Sequence, residues 1–253
     1  MTETTFTILV YVWMAFGVLL FPLLLKIPAP YGRHSRSGWG ITVPNHLGWL
    51  FMELPALIVF AYFFLAGPTE QSAVTWLFFS LWMLHYINRT LVFPFRIKTR
   101  EKRIPVLIAG LGFGFNIVNG FFNGYYFGSV APHYPQSWLM DPRFLLGILL
   151  FLTGLGINWW SDSILFRLRK LGQKHYSIPQ RGLFRTISCP NYLGEIVELG
   201  GFALMVWSLP ALSFFIWTVV ILVPRSLDHH RWYKKQFEDY PPERRALIPF
   251  LGR

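Results

Sequence analysis

Seven apolar runs, each close to the roughly 20 residues an α-helix needs to cross a bilayer, divide a chain of 253 residues. They cover about residues 5–25, 47–66, 73–95, 104–128, 144–162, 192–209 and 211–224. Backbone N–H and C=O groups find no water inside hydrocarbon, so runs of this length resolve as helices. The expected fold is an all-α integral membrane protein of seven transmembrane helices, forming one domain over residues 1–253. Composition agrees, since 14% of residues are charged where an ordinary soluble domain has about a quarter. The last two runs meet at Leu209-Pro210, which predicts a tight helical hairpin or one broken helix. The hydrophilic segments are too short for a separate soluble domain, and no repeat is apparent.

The net charge of +11 is compatible with nucleic acid, anionic lipid or an anionic cofactor, and its distribution decides. With the N-terminus outside, four segments face the cytoplasm. They begin at Lys26, Arg96, Arg167 and Arg225 and together hold 21 of the 23 Lys and Arg residues. Arg89 lies inside a span and Arg143 lies outside, where Glu3, Glu70 and Asp141 also fall. This asymmetry obeys the positive-inside rule, places the C-terminus in the cytoplasm and removes nucleic acid as the reading of the charge. Glu3 precedes the first run and Lys26 follows it, the pattern of a retained helix rather than a cleaved leader. The lone Cys189 permits no intrachain disulfide.

Ionisable groups inside apolar spans cost about 2.5–3.5 kcal/mol each and are functional candidates by default. The second span carries Glu53; the third carries His85, Tyr86, Asn88 and Arg89. In the sixth, Asn191, Glu195 and Glu198 fall on one helix face, and the fifth ends with Asn158 and Asp162 four residues apart. Desolvation of a lone Glu53 favours its protonated form, a hydrogen-bond donor, and the phenol of Tyr86 is another. Two donors aimed at one carbonyl oxygen would stabilise an enolate, which suits reduction of an α,β-unsaturated ketone. Mutual pairing between helices, for example Glu198 with Arg89, is the simpler structural reading of any single residue.

No His-x-x-x-His or Cys-x-x-Cys spacing occurs, so no metal site is expected. Gly110, Gly112 and Gly114 sit within a span and lack the dinucleotide fingerprint, so any nucleotide must be held outside a Rossmann fold. The pairs Gly110/Gly114, Gly120/Gly124 and Gly124/Gly128 are spaced for close helix packing.

The motifs, in order, resemble those of the steroid 5α-reductases, most nearly the vertebrate type 2 enzymes, across nearly the whole chain. They run from Tyr31-Gly-Arg-His34 and Glu53-Leu-Pro55 through His85-Tyr-Ile-Asn-Arg-Thr90 and Asn119-Gly-Phe-Phe-Asn-Gly-Tyr-Tyr126 to Gly156-Ile-Asn158 and Ser161-Asp162. Ile178-Pro-Gln180, Asn191-Tyr-Leu-Gly-Glu-Ile-Val-Glu198, His229-His-Arg231, Phe237-Glu-Asp-Tyr-Pro241 and Ala246-Leu-Ile-Pro-Phe250 continue the series. The resemblance implies a seven-helix membrane enzyme that reduces the Δ4 double bond of a 3-oxo steroid with NADPH. It implies that Glu53 and Tyr86 bind the substrate ketone. Cofactor contacts are implied at Tyr31, Asn158, Asp162, Arg169, Tyr176, Asn191, Glu195, Arg225, His229 and Tyr233, with Trp49 near cofactor and substrate. Arg33 replaces the Lys of the type 2 pattern, Asp228 interrupts its His run, and Arg96 to Arg103 aligns only with a gap, leaving Arg100 and Lys102 as alternatives for a phosphate contact.

The resemblance places the protein in the endoplasmic reticulum of a eukaryote or the inner membrane of a bacterium, with a small steroid and the lipid bilayer as partners. Reduction of a trans-2-enoyl-CoA is the same chemistry on a thioester. An isoprenylcysteine-type methyltransferase shares the Asn191-Tyr-Leu-Gly-Glu195 element but has no need of Glu53 with Tyr86, or Asn158 with Asp162. A pore would want polar residues along the full membrane depth, whereas these cluster towards the inner half.

Overall fold

A computed structural model describes residues 1–97, 102–168 and 176–248. Seven long helices account for most of these residues: α1 (Glu3–Leu24), α2 (Asn45–Ala66), α3 (Ala73–Ile87), α4 (Val106–Tyr125), α5 (Pro142–Leu168), α6 (Pro190–Val206) and α7 (Leu209–Gln236). By length and apolarity five of the helical stretches are able to cross a membrane: α1, α2, α4 with its continuation to Val130, α5 and α7. The 15-residue α3 and 17-residue α6 are shorter. They are also two of the helices whose apolar runs are interrupted by ionisable residues.

Several expected boundaries move. The fifth helix continues from 162 to Leu168, and the seventh runs past 224 to Gln236. Arg225 and His229 therefore stand within α7 rather than in a C-terminal tail. The break before α7 is a turn: Trp207 takes a left-handed conformation (φ 51°) and the Ser208 hydroxyl accepts from the Ala211 N–H. Helix α7 starts at Leu209, with Pro210 in its first turn, where a proline costs no hydrogen bond. A two-stranded antiparallel ribbon is an addition: β1 (Thr42–Pro44) pairs with β2 (Arg103–Pro105) through Val43 opposite Ile104. Each strand ends in a proline that leads directly into α2 or α4, because proline favours an extended residue before it.

The chain forms two compact units. One comprises Met1–Val10 with Ala29–Leu145. In it α4 lies against α2 with almost no side chain between them, for a Cβ on Gly124 would stand 2.6 Å from the Phe60 carbonyl oxygen. Gly120 and Gly128 meet the same helix, whereas Gly110 and Gly114 have no neighbour within 4 Å, so only part of the glycine pattern packs here. Phe60 stacks on Trp82 at 4.5 Å, and the Trp82 indole N–H donates to the Ala56 carbonyl at 2.9 Å.

The other unit comprises Tyr11–Pro28 with Leu146–Arg253. Here α5 and α6 meet through glycines: a Cβ on Gly154 would lie 2.5 Å from the Gly194 carbonyl oxygen. Gly17 of α1 faces the Trp217 ring of α7, which a Cβ would meet at 2.7 Å. After α7 the chain returns along the segment before α6, where Ile187 and Arg245 form a parallel bridge. The Tyr240 and Ser188 hydroxyls lie 2.6 Å apart there.

Candidate active site

Helices α2 and α3 run antiparallel, and their contacts set a register. Phe64 meets Trp76 at 5.2 Å, Phe60 meets Phe79 at 5.6 Å, and Trp82 bonds to Ala56 at 2.9 Å. One further turn brings Tyr86 to the level of Glu53. Both are buried, Glu53 at 7% and Tyr86 at 3% exposure. Beyond Tyr86 the helix widens into a π turn over Asn88–Val92, a distortion that recurs at functional sites.

That turn presents Arg89. Its guanidinium stands 3.5 Å from Glu53 Oε1 and 5.1 Å from the centre of the Trp49 ring, one turn before Glu53 on α2. From α4, the Asn116 amide donates to Glu53 Oε2 at 3.2 Å and to the Met52 carbonyl at 2.8 Å. Tyr31 closes the cluster, edge-on to Trp49 at 6.1 Å. Glu53 is therefore not the lone carboxyl expected from its apolar span: each oxygen has a polar neighbour on a different helix. Arg89 pairs with Glu53.

In the second unit the glycine contact of α5 with α6 brings two helix faces together. The Asn158 amide donates to the Asn191 carbonyl at 2.9 Å, and the Asn191 amide donates to Asp162 Oδ1 at 3.1 Å. Glu195 stands one turn further along α6, buried. Arg225, His229 and Tyr233 recur every four residues along α7, so they share a face. The His229 Nδ1–H donates to the Arg225 carbonyl at 2.9 Å, which turns Nε2 towards the Tyr192 hydroxyl at 3.5 Å. Tyr176 meets Trp232 edge-on at 4.9 Å, and Tyr233 stacks on Tyr240 at 5.3 Å. Asn158, Asp162, Glu195, Arg225 and His229 are each less than a tenth exposed. So many buried polar groups are costly to maintain unless they bind something.

A family model described as 3-oxo-5-alpha-steroid 4-dehydrogenase matches residues 102–251, more than half of the chain. The chain belongs to that family. Curated relatives extend the likeness to almost the full length. The 3-oxo-5-alpha-steroid 4-dehydrogenase 1 of Bos taurus is 40% identical over 248 residues, 96% of this chain and 95% of its own. The 3-oxo-5-alpha-steroid 4-dehydrogenase 2 of Sus scrofa is 42% identical over 227 residues, 88% of each. Steroid 5-alpha-reductase DET2 of Gossypium hirsutum is 39% identical over 232 residues, 90% of each. Types 1, 2 and the plant proteins thus match alike, and the chain is an oxidoreductase of the steroid 5α-reductase family.

Within this reductase framework Glu53, Tyr86, Trp49 and Tyr31 gather in one unit. Asn158, Asp162 and Asn191 form one network in the other; His229 with the Arg225 carbonyl and Tyr192 forms a second, and Tyr233 shares the face of Arg225 and His229 on α7. Arg169 and Arg100 lie outside the described residues. Lys102 precedes β2, where its carbonyl accepts from the Asn45 N–H at 2.9 Å. Asn116 and Tyr192 are the contributors that sequence reasoning missed. Asn116 had a signal, an amide in an apolar span three residues before Asn119, but its partner lies on another helix. Among the described residues no group of three or more His, Cys, Asp or Glu side chains is placed to hold a metal ion.

Proposed function

We propose that the chain reduces the Δ4 double bond of 3-oxo-Δ4 steroids with NADPH, and that Glu53 and Tyr86 bind the 3-ketone. The observation that carries this reading is the buried Glu53–Arg89–Asn116 cluster level with Tyr86. Addition of hydride at the carbon β to a ketone places negative charge on the ketone oxygen, and donors fixed beforehand lower the barrier. Tyr86 donates its phenolic proton; Glu53, held as an acceptor by Arg89 and Asn116 in the free protein, donates beside it once it has taken up a proton. Arg89 adds positive potential where the enolate charge develops, in a medium that screens it weakly. Asn116 holds the carboxyl by Oε2, fixing its direction before substrate arrives.

The polar set of the second unit suits a phosphorylated dinucleotide. Arg225 and Arg169 offer guanidinium groups for phosphate. Asn158, Asp162, Asn191 and Glu195 offer amides and carboxylates for ribose hydroxyls and a carboxamide, and Tyr176, His229 and Tyr233 offer ring faces and polar tips. When bound there, NADPH supplies the hydride. Seven spans, with the N-terminus outside and the C-terminus cytoplasmic, place these groups where a water-soluble anionic cofactor enters. The membrane is the endoplasmic reticulum in a eukaryote or the inner membrane in a bacterium.

The test is incubation of the detergent-purified protein with testosterone and deuterated NADPH. A product heavier by two hydrogens, with deuterium at C5, is expected by mass spectrometry. Saturable NADPH binding without product would redirect the search to other enones. Neither product nor binding would overturn the cofactor assignment and bring forward transfer from S-adenosylmethionine.

A further inference from the structure

A cavity of about 510 Å³ opens between the last turns of α5 and the segment 178–181. Trp160, Ile164 and Leu168 of α5, with Ile178 opposite, make its walls apolar. Arg167 and Arg181 line it too. Neither guanidinium makes an ion pair among the described residues.

This is not the polar site already described. Trp160 and Ile164 each stand two positions beyond Asn158 and Asp162, which on a helix of 3.6 residues per turn is the opposite face. Trp160 is 53% exposed, whereas Asn158 and Asp162 are buried. The cavity therefore lies on the outward side of α5, where that helix leaves its apolar stretch.

Its walls are built rather than incidental. Gly182, at φ +58°, lets the segment lie directly on the Trp160 ring, which a Cβ would meet at 2.5 Å. The Gln180 side chain accepts from Arg244 at 3.0 Å, and Arg244 is itself buried at 2% exposure. The segment is thus seated on α5 at Trp160 and tied at Gln180 to Arg244.

We infer that this cavity binds one anionic phospholipid, its acyl chain along Trp160, Ile164 and Leu168 and its headgroup phosphate between Arg167 and Arg181. An apolar wall rules against a free nucleotide as the fitting occupant, and two guanidinium groups with no ion pair among the described residues rule against a bare alkyl chain. Lys and Arg at a membrane boundary attract anionic headgroups, a guanidinium matches phosphate geometry, and tryptophan favours that depth.

The test is native mass spectrometry of the full chain in a neutral detergent, with phosphatidylglycerol or phosphatidylcholine of identical acyl chains added. The wild type is expected to retain phosphatidylglycerol at least about ten-fold better. The double variant Arg167→Gln/Arg181→Gln should bring the two lipids to near parity, while its testosterone reduction in the same detergent stays unchanged. Equal retention of both lipids by the wild type, or an unchanged preference in the double variant, would overturn the assignment. So would displacement of phosphatidylglycerol by glycerol 3-phosphate at matched concentration, which would make this a site for free phosphate esters. Should the double variant aggregate, a phosphatidylglycerol with a diazirine in its acyl chain decides on the wild type. Labelling of peptides within 160–168 or 178–181 supports the site, and labelling only elsewhere refutes it.

Discussion

At the scale of single residues, the first unit depends on how Glu53 is held. Replacing Asn116 by Leu removes the hydrogen bonds to Glu53 Oε2 and to the Met52 carbonyl, a loss of about 1 kcal/mol each or somewhat more for the carboxylate. The expected result is a fall in kcat of about ten-fold or more with NADPH affinity unchanged, read from steady-state kinetics and cofactor titration. Glu53→Gln and Asp162→Ala should separate in the same assays. The first lowers turnover with little loss of cofactor binding, and the second weakens the cofactor first; identical behaviour would dissolve the division into ketone and cofactor sets. Glu53 and Tyr86 were legible in the sequence because a polar group in hydrocarbon needs a reason to be there. Arg89 was equally visible, yet its partner was not, because a span shows its own residues and not which helix faces them.

Among the elements, the contact of α5 with α6 determines whether Asn158 can reach Asn191. Gly154→Leu puts a side chain where the backbone of Gly194 and Glu198 already stands, so the helices must separate. Overpacking of this kind costs about 1–3 kcal/mol or more. A lower melting temperature and weakened NADPH binding are expected together, whereas Gly114→Leu, with no neighbour within 4 Å, should leave both near wild type. The glycine spacing in the sequence marked 110/114 and 120/124/128 alike, since spacing reports a shared face and not what the face meets. At the start of α5, Arg143 bonds Asp141 twice, at 2.9 and 2.8 Å, and holds its carboxyl at about 2, below the ordinary 3.8. A depressed carboxyl contributes its stabilisation above the unfolded value and loses it as pH falls through the folded one, here from about 4 to 2. A ¹³C carboxyl titration should give a midpoint near 2 for Asp141, moving towards 3.8 in Arg143→Gln.

For the whole molecule, topology is the property most open to a direct check. With seven spans, Thr4→Cys should react with a membrane-impermeant maleimide from outside sealed cells or vesicles, and Glu238→Cys only after permeabilisation. Labelling of both from one side would require an even number of crossings. The native Cys189 is buried and should contribute little background. The short helices α3 and α6 are where this count is decided. They carry the ionisable side chains that shorten an apolar run, and the π turn after α3 extends the helical path to Arg96.

The sequence by itself determined that this is a helical membrane protein, which residues break the apolar pattern and, through ordered motifs, which enzyme family it joins. Those properties follow from the solvent: hydrocarbon forces helices and penalises polar groups one residue at a time. Only the tertiary structure decided that Glu53 answers to Arg89 and Asn116, that Gly154 and Gly194 set Asn158 beside Asn191, and that Arg225 and His229 belong to a helix rather than a tail. It also decided that Trp160 faces away from Asn158 and Asp162, over a cavity of its own. These are pairings between segments distant in the chain, fixed by how closely two helix backbones can approach, and a linear pattern holds no record of that distance.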